Sequence, residues 1–119
     1  MNRGDIYYID LPKSIGSIQS GIRPVIILQN NIGNTYSTTT IVACITSKKK
    51  KRIPTHCFIP RVGGLKRNSI VLCEQIFTVE KQNLKQYVGT ITNNRTLNRL
   101  NKCIQLSLGL GELWELQKY

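Results

Sequence analysis

Two segments of this chain, Arg23 to Leu28 and Thr40 to Thr46, are β-branched and apolar almost throughout, and this limits the fold more than any other feature. Val25-Ile26-Ile27-Leu28 and Ile41-Val42-Ala43-Cys44-Ile45 follow neither helical spacing nor strict alternation. Each reads as a central strand covered on both faces. Other strand patterns surround them: Ile6 to Leu11, His56 to Ile59, a long Ser69 to Val79 with apolar residues on both faces, and Val88 to Thr92. Pro12 to Gly21, Gln29 to Thr39, Ser47 to Thr55 and Pro60 to Asn68 read as loops, and Lys81 to Tyr87 as a short helical turn. A helix follows Asn93 or Asn94, whose side-chain oxygen suits a cap. Leu97, Leu100, Ile104 and Leu108 form its apolar stripe, and Gly109 ends it. Short strands closed by one helix predict a mainly β fold, a small and strongly curved barrel with helical cover.

A length of 119 residues fits a single domain spanning 1–119 that needs no metal or disulfide to hold its core. Lys and Arg number 17 against 6 Asp and Glu, a net charge of +11, which points to a polyanionic partner and to nucleic acid first. An anionic membrane surface would call for a basic amphipathic helix. No stretch is apolar enough for a signal peptide or a span, so a soluble cytoplasmic protein is expected. Cys44, Cys57, Cys73 and Cys103 are far apart, and none forms a CxxC pair. They read as reduced, buried thiols, and a zinc site at His56 and Cys57 lacks the usual ligand spacing.

Candidate chemistry converges on the ends of the two central strands. Pairing Leu28 opposite Ile41 places Arg23 opposite Thr46, and a slip of one residue would turn one of them to the other face. Pro24 holds Arg23 in extended backbone, where its planar fork of donors suits a phosphate. Ser47, Lys48 and Lys49 follow Thr46 and open the basic run to Arg52, which can hold RNA phosphates. Asn30, with Gln29, Asn31 and Tyr36, offers amide hydrogen bonds and stacking to single-stranded bases. Glu74 and Gln75 lie inside an apolar strand. They form either a polar floor for base recognition or a buried carboxylate neutralised by an arginine or a backbone amide. One histidine excludes a two-histidine ribonuclease, and no P-loop, GxSxG or His/carboxylate metal motif is present. Six scattered acidic residues argue against a two-metal nuclease.

Arg3-Gly4-Asp5-Ile6-Tyr7, then Gly16 through Val25 (GSIQSGIRPV), Gln29-Asn30, Thr40 through Thr46, Pro54-Thr55-His56, Ser69 through Ile76 and Ser107-Leu108-Gly109-Leu110 resemble, in order, the MazF/PemK toxins of type II toxin–antitoxin systems, in their Gram-positive branch. The resemblance implies an SH3-like barrel, a homodimer and a cognate antitoxin whose disordered tail fills the RNA groove. It implies cleavage of single-stranded RNA at a short sequence, with no metal or other cofactor, leaving a 2′,3′-cyclic phosphate and a 5′-OH. The family's catalytic arginine and threonine match Arg23 and Thr46, and Ser17, Gln19, Glu74 and Gln75 match positions near the RNA. Ile18 stands where the family often has Glu, and Phe77 where many relatives have Arg. A non-catalytic binder of the same fold, resembling a gyrase poison or a plain RNA-binding barrel, is the alternative. Leu113, Trp114 and Leu116 could pack on the core or on a second subunit.

Overall fold

The computed structural model describes residues 1–13, 20–49 and 51–111. Strands β1 (Asp5–Leu11), β2 (Gly21–Ile27), β3 (Thr39–Thr46), β4 (His56–Ile59), β5 (Ser69–Glu80) and β6 (Tyr87–Thr90) form one six-stranded sheet. Its order is β4-β5-β3-β2-β1-β6, and all the pairings are antiparallel. The two uniformly apolar segments lie at the centre, where Val25 to Ile27 and Val42 to Ile45 are fully buried. This is the mainly β, helix-covered architecture that the sequence predicts.

Alternation along the strands sorts the core into two layers. Ile6, Ile26, Ala43, Ile45 and Val71 face the helix α2 (Asn94–Leu108), from which Leu97, Leu100, Cys103 and Ile104 pack down. Ile9, Leu11, Val25, Ile27, Val42, Cys44, Ile70 and Leu72 form the opposite layer. The Asn93 side chain accepts from Thr96 N–H at 3.1 Å, and Gly109 ends the helix in the left-handed region. The apolar stripe stops at Ile104, because Leu108 in the last turn is exposed.

Strand β5 contains the departure that matters most for the site. Ala43 pairs with Ile76 but Cys44 pairs with Leu72, so Cys73, Glu74 and Gln75 have no counterpart on β3. An insertion of three reverses the alternation. Leu72 belongs to the layer away from the helix, yet Ile76 packs on the helix side and Phe77 on the other. Apolar residues on both faces of the Ser69 to Val79 segment record this change of phase.

The loop between β4 and β5 meets the edge strand β6 through backbone. Gly64 N–H donates to Val88 O at 2.6 Å. A Cβ on Gly63 would lie 2.7 Å from Gly89 Cα, and one on Gly89 would lie 2.8 Å from Gly63 Cα. Two glycines facing each other let this loop pack closely against β6.

The segment Gln29 to Thr39, expected as a loop, contains the helix α1 (Asn31–Tyr36). It is built on polar contacts, so no apolar stripe announced it. Asn30 caps it by accepting from Gly33 N–H at 2.8 Å, and buried Asn34 accepts from Thr40 Oγ1 at 2.7 Å. A single 3-10 turn, Lys81–Asn83, links β5 to β6. No helix among the described residues is long and apolar enough to cross a membrane.

Candidate functional site

Val25, Ile26 and Ile27 pair with Cys44, Ala43 and Val42, the register in which Leu28 would meet Ile41. Arg23 and Thr46 lie two residues beyond Val25 and Cys44, so they share a face at one end of the central strand pair. Their other neighbours agree. Arg23 is opposite Ile9 and Thr46 opposite Ile70, and both isoleucines belong to the layer away from α2. Arg23 is half-buried, and its Nε donates to Ser20 O at 2.9 Å, which fixes the guanidinium's root. Thr46 is only 3% exposed, and its Oγ1 accepts from Lys48 N–H at 3.1 Å. Its own O–H hydrogen is the part it can offer to a ligand.

Cys44, beside this pair, reports the local field. Burial pushes its thiol up to about 12, while the Arg23 charge pulls it down and the Glu74 charge raises it. A cation and a carboxylate therefore both act on one position of the open face.

Glu74 is not the buried strand carboxylate that its apolar surroundings suggested, and its partner is neither an arginine nor an amide. The β5 insertion lifts it out of the ladder to an exposed position, where Oε2 meets His56 Nε2 at 2.8 Å. His56 opens β4 opposite Leu72, and its Nδ1 meets Lys51 O at 3.0 Å. Both ring nitrogens thus face acceptors, and a ring carrying two hydrogens serves both at once. The imidazole ties the basic loop to Glu74. Sequence reasoning weighed His56 only as a zinc ligand; the available signal was a lone histidine opening a strand just after a basic run. His56 and Cys57 are adjacent on a strand and point to opposite faces, so they cannot share an ion. No His, Cys, Asp or Glu group among the described residues is arranged to hold a metal.

Ser47, Lys48 and Lys49 are exposed directly after Thr46. With Arg52, Phe58, Asn68 and Arg99 they line a cleft of about 800 Å³. The Arg52 guanidinium sits 4.6 Å from the Phe58 ring centroid, a cation–π contact that steadies the loop. A cleft with four cations and one aromatic wall attracts a phosphate chain.

The other candidates divide. Gln75 follows Glu74 in the insertion and is half-buried. Asn30 is not brought to this end. It lies past the far end of β2, seven residues from Arg23, or about 20 Å at ~3.3 Å per residue. Its side-chain oxygen is committed to capping α1. Phe77 lines an apolar groove of about 720 Å³ with Ile9, Leu11, Val79 and Leu84. Ser17, Ile18, Gln19, Lys50 and Trp114 lie outside the described residues.

Residues 2–108 match the model of the PemK-like, MazF-like toxins of type II toxin–antitoxin systems. The chain belongs to this toxin family. The toxin is 41% identical over 112 residues to the endoribonuclease EndoA of Bacillus subtilis, covering 92% of this chain and 96% of that one. It is 46% identical over 112 residues to the endoribonuclease MazF of Staphylococcus saprophyticus, covering 92% of each. Among solved structures, a mycobacterial endoribonuclease in complex with its cognate antitoxin superposes with a TM-score of 0.79 at 26% identity, covering 93% of this chain and 97% of that one. The Mycobacterium tuberculosis toxin MazF-mt6 shares the fold, with a TM-score of 0.74 at 24% identity, covering 90% and 98%.

Proposed function

We propose that this toxin, an endoribonuclease by family, cuts single-stranded RNA at a short sequence by attack of the ribose 2′-OH on the adjacent phosphate, with Arg23 and Thr46 at the centre of the site. The O2′–P bond forms as the P–O5′ bond breaks, leaving a 2′,3′-cyclic phosphate and a 5′-OH. The nucleophile belongs to the substrate, so the reaction requires no metal-bound water.

One observation carries the reading: Arg23 and Thr46 lie on one face at the end of the central strand pair, next to a cleft lined by Lys48, Lys49, Arg52 and Arg99. An arginine guanidinium is not deprotonated in proteins, so Arg23 acts as a fixed cation against the charge growing on the phosphate. The Thr46 hydroxyl donates to a non-bridging oxygen, as oxyanion donors do. Ser47, Lys48 and Lys49 guide the backbone, and Glu74, held by His56, with Gln75 contacts bases. The family resemblance adds Ser17 and Gln19 to the residues that contact the RNA. The toxin works as a single domain over residues 1–119, in the cytoplasm, as a homodimer restrained by a cognate antitoxin. The mycobacterial neighbour solved with its antitoxin supports that last partner.

The test is incubation of the pure toxin with mixed RNA in EDTA, followed by end mapping. Defined cuts with cyclic-phosphate ends are expected, and Thr46→Val should lower the rate roughly 10²-fold, the usual cost of one lost oxyanion donor. RNA left intact by the folded protein would overturn the reading.

A further inference from the structure

Three of the four cysteines, remote from one another in sequence, meet on the helix-covered face. Cys57 pairs with Val71, and Cys73 N–H donates to Thr55 O at 3.0 Å, so the two cysteines sit on adjacent strands two residues out of step. Cys103 comes down from α2 onto the same apolar cluster as Cys57 and Cys73, close enough for the three thiols to act on one another. One turn further along α2, the Ser107 hydroxyl donates to Cys73 O at 2.6 Å and clamps helix to strand. Cys57 and Cys73 are buried, whereas Cys103 is half-buried and reachable by a small oxidant.

We propose that the Cys57–Cys73–Cys103 cluster is a peroxide-oxidised disulfide site that turns down RNA cleavage from behind the candidate site. The Cys103 thiolate attacks the peroxide O–O bond, becoming a sulfenic acid and releasing hydroxide. The thiol of Cys57 or Cys73 then displaces its hydroxyl, forming an S–S bond and water, as in other paired redox cysteines. The chemistry of each sulfur fits its part. The Cys57 and Cys73 S–H groups hold the Cys103 thiol well below its ordinary range against the opposing effect of burial, and the charges of Arg99 and His56 act in the same direction. Cys57 and Cys73, donating to Cys103 and desolvated, are held well above theirs. A thiolate is the reactive form, and protonated neighbours resolve it.

The consequence for cleavage rests on the function proposed above and on strand alternation. Cys57 follows His56 and Cys73 precedes Glu74, so each thiol lies behind a member of the His56–Glu74 pair on the opposite face. An S–S bond of about 2.05 Å is far shorter than a thiol hydrogen bond, so closing it draws β4 or β5 toward α2. A displacement of ~1 Å at a positioned group costs on the order of 10² in rate.

The experiment treats the full toxin with hydrogen peroxide, blocks free thiols and maps peptides without reduction. A Cys103 peptide linked to Cys57 or Cys73 is expected, with Cys44 free. Cleavage of a reporter RNA should fall at least about ten-fold and recover in dithiothreitol. Cys103→Ser and Cys103→Ala should keep the unoxidised rate and lose the peroxide response. Cys103 ending as sulfinic acid without a disulfide, a disulfide that leaves cleavage unchanged, or an equal peroxide response in both variants would each overturn the proposal. A reduced toxin that cuts no RNA would instead sink the functional reading, while the peptide map still decides the thiol assignment.

Discussion

On the face under α2, Ile26, Ala43 and Ile45 meet Leu100 and the three clustered cysteines, and the strands end in apolar contacts. On the opposite face the same sheet carries Val25, Ile27, Val42 and Cys44 through the middle, with Arg23 and Thr46 at one end of β2 and β3 and the His56–Glu74 pair beside the β5 insertion. Both layers are equally dry at their centres. They differ at their ends, where one face is closed by a helix and the other leaves polar groups at the mouth of a basic cleft. Burial in the middle of the strands makes the backbone rigid, and the ends of those same strands supply the chemistry. A rigid support is what fixed dipoles and charges need to act on a transition state without first reorganising.

If the faces divide their tasks in this way, substitutions should separate rate from stability. The largest effect is expected from Arg23→Ala, which should lower RNA cleavage by ~10²–10³-fold and leave the melting temperature nearly unchanged. Near-wild-type cleavage by that folded variant would erase the distinction. On the helix side, Leu100→Ala empties a site that is 1% exposed and should cost about 2–5 kcal/mol in denaturant unfolding, with the folded fraction cutting at the usual rate. Gly89→Ala forces backbone against backbone at Gly63 and should cost roughly 1–3 kcal/mol in the same measurement. Replacing Lys48 and Lys49 with Gln should flatten the slope of log binding against log salt by ~0.7 for each single-strand phosphate that the loop no longer neutralises, and an unaltered slope would remove the loop from the RNA path. The smallest effect is in thiol labelling. Cys103, held low, should still alkylate at about pH 6.5, where an ordinary thiol is protonated, and Cys44, pushed up to about 12, should react only after unfolding.

The central strands and their register were legible because a one-residue slip would have driven Arg23 or Thr46 into the opposite layer. The C-terminal helix was legible for a similar reason: its cap, stripe and stop agree. What stayed hidden depended on contacts between remote residues. The helix α1 is held by Asn30, Asn34 and Thr40, which leave no apolar rhythm. His56 acquires its role from Glu74, eighteen positions away, and only because β5 breaks its ladder there. Asn30 reads from sequence as a base-reading amide, and the structure gives its oxygen to the cap of α1. The cysteines lack any motif spacing because their proximity is made by a helix crossing two strands.

The three unmatched residues of β5 also set how this segment can change in length. Adding or removing one residue between Leu72 and Ile76 would rotate everything downstream by half a turn, sending Ile76 out and driving Phe77 and Val79 under α2. A change of two would preserve their orientation. A designer changing the strand's length at this spot therefore works under a parity rule, with even changes the ones that keep the downstream faces.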